Sequence, residues 1–339
     1  ARPDEVVFTS GGTESDNLAV LGIARKHQEI GRHIVSAKTE HPAVLEALEQ
    51  LEKEGFEVTY VPVDQTGSIT MQSVMNVLRE DTILVTLMYA NNEIGTIHPI
   101  AQIGNAIQKY RLEKKSSFPL FHTDACQASG ALELDVQKIH VDLMTINASK
   151  IYGPKGVGAL YVKRGLKLTP LQFGGTQQRG LRAGTENVIG IIALANALEL
   201  AQDGSAEESK RLVELRDYFI EKILSTIPKT RLNGHKSDRL PNNINISFMD
   251  IEGEALLLYL DAAGVYASTG SACTSASLDP SHVILAMNLP YEVAHGSIRF
   301  TLGRSTTKED LDYVLEVLPG LVEKLRKISP VRVDEKYFE

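Results

Sequence analysis

Val6-Val7-Phe8-Thr9-Ser10-Gly11-Gly12-Thr13-Glu14-Ser15 decides the architecture. A short β-rich run ends in two glycines and gives way to a helical pattern from about Glu14, so strand turns sharply into helix. The same alternation recurs downstream. Residues 34–37, 58–63, 83–89 and 120–125 read as strands, with helical patterns starting near Pro42, Met71 and Ile100 between them. Strand-helix-strand units in series predict an α/β fold, a mainly parallel sheet covered by helices on both faces. Residues 143–148 and 158–162 flank the turn Gly153-Pro154-Lys155-Gly156, and their proximity predicts a hairpin-like return.

A helical pattern over 188–201 ends near Gly204, and a charged helix over 207–227 follows, which puts a domain boundary near residue 205. The expected division is a large domain over 1–205 and a smaller α+β domain over 206–339. The second contains strands at 243–248 and 297–302, a helix at 253–262 and a closing helix near 308–327. That last helix carries Leu311, Val314, Leu315, Val317, Leu318 and Leu321 as one apolar stripe, which is core packing.

With 339 residues, 43% hydrophobic and 23% charged, the chain has the composition of an ordinary globular protein. A net charge of −8 argues against direct nucleic-acid binding, which needs a basic footprint. No apolar run approaches the roughly 20 residues that span a bilayer, and the first residues lack a signal pattern. A cytoplasmic address and no membrane partner are the expectations. The nine histidines and two cysteines show no ligand spacing, so no resident metal is expected.

Several residues nevertheless sit where chemistry is done. Gly11, Gly12 and Thr13 open a helix, where backbone N–H groups and the helix dipole meet phosphate; a glycine turn with a threonine cap is the plainer alternative. The turn lacks the lysine of a Walker loop and the glycine spacing of a dinucleotide fingerprint. Asp124 ends an apolar strand with Gln127 just beyond, and Lys150 ends the next strand before a rigid Gly-Pro turn. A carboxylate at a protonated pyridine nitrogen and a lysine holding the aldehyde are how pyridoxal phosphate is bound. Alone, Asp124 reads as a helix cap and Lys150 as a surface residue; together with the glycine turn they favour the cofactor. His41 follows a strand, where it could stack on a ring and move protons or simply cap a helix. Arg299 alternates with apolar residues on a strand, pointing either inward to a carboxylate or out to solvent. Cys273, in Thr269-Gly270-Ser271-Ala272-Cys273-Thr274-Ser275-Ala276-Ser277, lies among small residues that predict an accessible thiol, whereas apolar flanks make Cys126 a core residue.

Taken together the chain resembles the cysteine desulfurases of the NifS/IscS type, pyridoxal-phosphate enzymes of the class V aminotransferase fold. The matching pieces run from about residue 4 to about 328: the segment from Phe8 to Asn17, Thr39-Glu40-His41, Asn91-Asn92-Glu93-Ile94-Gly95, Asp124-Ala125-Cys126-Gln127, Lys150 with its turn, Arg182-Ala183-Gly184-Thr185-Glu186-Asn187, and Gly270-Ser271-Ala272-Cys273-Thr274-Ser275. The resemblance implies an aspartate aminotransferase-like, fold type I architecture and a homodimer. Its activity would be removal of sulfur from L-cysteine, giving L-alanine and a persulfide, for iron-sulfur cluster assembly or thiolation through an acceptor or scaffold protein.

Roles follow from the same resemblance. Lys150 would hold the cofactor covalently, Asp124 would pair with the ring nitrogen, Gln127 would bond the phenolic oxygen, and His41 would stack on the ring and help with protons. Gly12, Thr13, Asn147 and Ser149 would hold the phosphate, and Thr185 would reach the phosphate of the other subunit. Asn92 and Arg299 would position the cofactor and the substrate carboxylate. Cys273, on what the family's long-loop group makes a mobile loop, would attack the substrate sulfur and could transiently ligate an iron-sulfur cluster. Asn147-Ala148-Ser149-Lys150 departs from the family's Ser-x-His-Lys, and Gly174-Gly175-Thr176-Gln177-Gln178-Arg179 departs slightly from its usual form. Members also begin earlier, so by resemblance either this sequence is a piece of a longer chain or the protein lacks an N-terminal segment of the family. A selenocysteine lyase, an aminotransferase using the same lysine, and a degenerate partner-binding homologue are the competing readings.

Overall fold

A computed structural model describes residues 1–270 and 280–337. The chain divides into two compact units, one of Ala1–Pro62, Ile69–Ala90 and His98–Ser205, the other of Val63–Ser68, Asn91–Ile97 and Ala206–Glu339. One change of unit falls at Ser205–Ala206. Two short segments of the first half, however, belong with the second unit, which no periodicity announces.

In the first unit, strands β1 (Val6–Thr9), β2 (His33–Ala37), β3 (Glu57–Val61), β4 (Thr82–Thr86), β5 (Leu120–Asp124), β6 (Leu143–Asn147) and β7 (Gly158–Val162) form one sheet in the order β1-β7-β6-β5-β4-β2-β3. Only β7 runs against the rest, pairing antiparallel with both β1 and β6; β6 and β7 are the expected hairpin-like return. β2, β4 and β5 are buried at every position, as strands covered on both faces must be. Of the polar residues they contain, His33 bonds Thr82 Oγ1 at 2.7 Å and Thr59 Oγ1 at 2.8 Å. Helices α1 (Gly12–His27), α2 (Pro42–Lys53), α3 (Met71–Met75), α4 (Ile100–Lys114), α5 (Val136–Ile139) and α6 (Val188–Asp203) complete the unit. α2 begins with His41 as cap and Pro42 in the first turn, a position where a missing N–H costs nothing. Leu18, Val20, Ile23, Ile34, Leu48, Leu51 and Leu84 share the core against which α1 and α2 close.

The second unit opens with α7 (Ser205–Thr226), whose first residue still counts with the first unit, and continues through β8 (Thr230–Leu232), β9 (Asn243–Phe248), α8 (Gly253–Ala262), α9 (His282–Ala286), α10 (Tyr291–His295), β10 (Ser297–Thr301) and α11 (Lys308–Ile328). Its sheet is antiparallel, in the order β10-β9-β8. α11 starts in a Thr307/Asp310 capping box and buries Leu311, Val314, Leu318, Val322 and Leu325, the spacing of one helix face. Phe219 and Phe300 meet edge to face at 5.3 Å in this second core.

Burial sets the stability of each unit. Leu48→Ala in the first core should cost about 2–5 kcal/mol in urea unfolding. Leu112→Ala, on an exposed face of α4, should change stability by no more than about 0.5 kcal/mol. Equal effects would show that the α2 contact does not bear on the core.

Candidate active site

Because β1, β2, β5 and β6 are parallel, their carboxyl ends emerge on one edge of the sheet, where ligands of open α/β sheets bind. The segments leaving those ends carry most of the residues singled out by sequence. After β1 the chain turns at Ser10-Gly11 and begins α1 at Gly12, exposing the first N–H groups of a sixteen-residue helix. Thr9 Oγ1 and Ser15 Oγ lie 2.7 Å apart across the turn, and Glu14 accepts the Ser10 N–H at 2.6 Å. Glu14 is bonded in turn by Arg182 at 2.9 Å, which ties the turn to the segment bearing Thr185. Thr185 itself is exposed.

Gly12 is a glycine for want of room. A Cβ there would lie 2.9 Å from Cys126 Sγ and 3.5 Å from the Asn147 amide nitrogen. The helix start, the segment after β5 and the end of β6 therefore converge. Asn147 Oδ1 accepts the Ser149 N–H at 3.3 Å, which leaves the amide nitrogen as the end facing Gly12. Lys150 is exposed in the turn that follows, and its charge is felt at Cys126. Gln127 is half-buried. His41 caps α2, its Nδ1 accepting the Ala43 N–H at 3.1 Å, so the ring proton belongs on Nε2.

Asp124 is 7% exposed and its Oδ1 accepts the Cys126 N–H at 2.8 Å. Behind it lie two more carboxyls. Asp16 and Glu40 are buried, and burial pushes both well above the usual carboxylate range, with the charge of Asp124 adding to the shift in each. Burial therefore favours the protonated form of both. Glu40 Oε1 accepts the Met88 N–H at 2.8 Å, while Asp16 Oδ1 has no hydrogen-bond partner. His122 Nε2 stands 3.8 Å from that oxygen, yet this is no ion pair, because burial drives the imidazole down to about 3. The ring instead bonds Thr86 Oγ1 at 2.8 Å and Thr145 Oγ1 at 3.1 Å. Burial likewise pushes the Cys126 thiol well above its ordinary value, and Asp124 pushes it further, so it stays protonated and inert.

Asn92 and Arg299 belong to the second unit. Both are half-buried, and Arg299 Nη1 donates to the Asn92 carbonyl at 2.8 Å while Nη2 reaches Ser268 Oγ at 3.3 Å. The guanidinium thus turns inward instead of lying along an edge. Cys273 falls outside the described residues. Among the described residues no cluster has the make-up of a metal site, and no helix is long and apolar enough to cross a membrane.

Sequence reasoning missed Asp16, Glu40 and His122. One signal was available for Asp16: with Ala19, Val20 and Ile23 it occupies the i, i+3, i+4, i+7 stripe that α1 buries, a carboxyl where an apolar residue belongs.

Pyridoxal phosphate presents an anionic phosphate at one end and a ring nitrogen that takes a proton beside a carboxylate. The cramped glycine turn, with helix N–H groups and the Asn147 amide nitrogen beside it, suits the first, and the buried Asp124 suits the second.

Buried acids leave a mark on stability. The folded state holds the Asp16 proton more tightly than the unfolded chain, so this contribution is complete below the ordinary carboxylate range and is lost as pH rises toward the raised value. Asp16→Asn removes the loss, so its melting temperature relative to wild type should climb as pH rises above the ordinary carboxylate range. A relative fall in calorimetry over that window would show Asp16 ionised and paired.

The comparisons with known proteins agree along nearly the whole chain. Residues 1–314 match the Aminotransferase class-V family. A Cysteine desulfurase IscS of Dictyoglomus turgidum is 53% identical over 336 residues, 99% of this chain and 84% of that one. The solved structure of a NifS-like protein superposes with a TM-score of 0.87 at 35% identity, covering 96% of this chain and 84% of that chain. One titled SspA in complex with cysteine gives a TM-score of 0.74 at 34% identity, covering 89% and 82%. On this likeness the chain belongs to the class-V aminotransferase family of pyridoxal-phosphate enzymes.

Proposed function

We propose that this protein is a cysteine desulfurase that converts L-cysteine to L-alanine and keeps the sulfur as a persulfide on Cys273. The likeness along 99% of the chain to a relative of that name carries the reading, and the convergence of Gly12, Asp124, Asn147 and Lys150 in the first unit supports it.

The first unit serves as the cofactor domain and the second carries the cysteine segment. Lys150 holds pyridoxal phosphate covalently, Asp124 meets the ring nitrogen, Gln127 the phenolic oxygen, and His41 the ring face. Gly12, Thr13, Asn147 and Ser149 receive the phosphate. When bound, the cofactor supplies an electron-withdrawing ring that loosens bonds around the substrate's α carbon. Arg299, steadied by the Asn92 carbonyl, takes the substrate carboxylate by parallel hydrogen bonds. The Cys273 thiolate attacks the substrate sulfur; the S–S bond forms as the C–S bond breaks, and the carbon keeps the electron pair and gains a proton, ending as alanine. Lys150 and His41 are the proton carriers. The persulfide then passes to a second thiol on an acceptor or scaffold protein, in the cytoplasm, for iron-sulfur clusters or thiolated products.

A second copy of the chain completes the assembly in this reading. α6 exposes Val188 (58%), Ile189 (85%), Ile192 (57%) and Leu200 (65%) on one side, an apolar face beside Thr185 that water does not favour. Thr185 would reach the partner's cofactor phosphate. Ile189→Lys combined with Ile192→Lys should yield a monomer in sedimentation and weaken cofactor retention, whereas an intact dimer would move the interface elsewhere.

The activity is tested by mass spectrometry after incubation with pyridoxal phosphate and L-cysteine, alkylating without reductant. One added sulfur is expected on the Cys273 peptide, absent in Cys273→Ala and retained in Cys126→Ala. Lys150→Ala should remove the borohydride-reducible link to the cofactor. A persulfide on Cys126 would reverse the roles of the two cysteines, and a large preference for selenocysteine over cysteine would make the enzyme a lyase of that substrate.

A further inference from the structure

Glu93, in the segment Asn91-Asn92-Glu93-Ile94-Gly95, has no part in the functional reading, yet it is 5% exposed and held from several sides. Its N–H donates to Asn91 Oδ1 at 2.8 Å, and its carbonyl accepts both the Asn243 and the Asn245 side-chain amides from β9, each at 3.1 Å. The backbone of Glu93 is thus bolted to the sheet of the second unit. The side chain reaches two places. Oε2 accepts the Ser281 hydroxyl at 2.5 Å, and that same Ser281 oxygen caps α9 by accepting the Ile284 N–H at 3.2 Å. A Cβ on Gly270 would lie 2.5 Å from Glu93 Oε2 and 3.0 Å from Ser281 Cβ, so the Gly270 backbone rests directly on the carboxylate.

Gly270 and Ser281 stand on either side of Cys273 in sequence. We propose that Glu93 is a positioning residue for sulfur transfer, its carboxylate clasping both chain ends from which the Cys273 segment departs and to which it returns. The proposal rests on the assignment of Cys273 as nucleophile.

The reasoning is one of tethers. A chain extends at most about 3.6 Å per residue, and Cys273 follows Gly270 by three residues in sequence, so fixing Gly270 fixes the point from which the reach of that residue is counted. Fixing Ser281 as well closes the segment and removes the orientations in which its ends drift apart. A clasp made by the side chain of a residue bolted to β9 gives the thiol a fixed base without any bond to the thiol itself. Burial raises the Glu93 carboxyl, while the Ser281 hydroxyl and the nearby His282 and Arg299 pull the other way. The hydrogen bond and the close packing against Gly270 are what define the clasp.

Three variants test it: Glu93→Ala, Glu93→Gln and Cys273→Ala. Amide hydrogen exchange in the cofactor-free protein reads the clasp directly. Glu93→Ala should speed exchange in peptides covering residues 266–270 and 281–287 and leave those of the first unit unchanged. Cofactor content and its lysine-bound absorbance should match wild type, while first-turnover persulfide on Cys273 falls about ten-fold, the scale of one lost buried hydrogen bond. Glu93→Gln keeps an acceptor for the Ser281 hydroxyl and should restore most of that rate. Unchanged exchange at both flanks in Glu93→Ala overturns the clasp. Raised exchange with an unchanged persulfide rate overturns the positioning role, and loss of bound cofactor reassigns Glu93 to general structure and overturns it too. A persulfide that persists in Cys273→Ala instead overturns the assignment of the nucleophile, and only then does this inference fail with it.

Discussion

Parallel pairing is the constraint on which the rest of the first unit depends. Strands that run the same way must each be followed by a crossover, so every strand ends on the same edge and every crossover leaves from it. That geometry brings residues far apart in sequence to one edge of the sheet: Gly12 after β1, His41 after β2, Asp124 at the end of β5, Asn147 at the end of β6. The antiparallel β7 fits the same logic. It returns from the edge where Lys150 sits and inserts between β1 and β6, and Gly158 at its start is pressed so closely on Gly11 that a Cβ would lie 2.7 Å from the Gly11 carbonyl carbon. The phosphate turn thus has a strand as its backing, and a side chain at residue 158 would push on it.

Electrostatics then decides what the edge can do. Three carboxyls are packed together there, and three buried charges of one sign would be prohibitive. Burial beside Asp124 favours the protonated forms of the most enclosed two, Asp16 and Glu40. His122 supplies no compensating cation, since it is locked between threonines and its burial drives the imidazole down to about 3. A cation to match Asp124 must then come from outside the strand layer. In the arrangement proposed above a protonated ring nitrogen would meet that need, which would link the burial pattern of α1 and β5 to the cofactor's electronics.

Much of this was legible before any coordinates, for physical reasons that can be named. Buried strands are apolar runs and exposed helices have period, so the boundaries of β7, β9 and α8 were read to the residue. Asp124 and Lys150, which alone read as a helix cap and a surface residue, stand out only because they end consecutive strands in a chain that also carries the glycine turn. The short strand β8 and the single-turn helices α5, α9 and α10 were not legible, since three to five residues carry too little pattern. Nor were the roles of Glu40 and Glu93. Each sits in a turn, where composition predicts exposure, and only tertiary packing buries it.

Asn91–Ile97 shows why such residues escape a linear reading and still govern function. The segment is flanked in sequence by residues of the first unit, but its contacts are with the second. Within it, the carbonyl of Asn92 receives Arg299 and the carboxylate of the next residue receives Ser281 and Gly270. One turn therefore sets both Arg299 and the backbone at Gly270 and Ser281. Coupling them this way has a cost in adaptability, since a shift of the turn moves both together. It has the corresponding merit that the separation of Arg299 from Gly270 and Ser281 is fixed by a few hydrogen bonds to β9 and β10, which hold whatever the side chains elsewhere in the unit do.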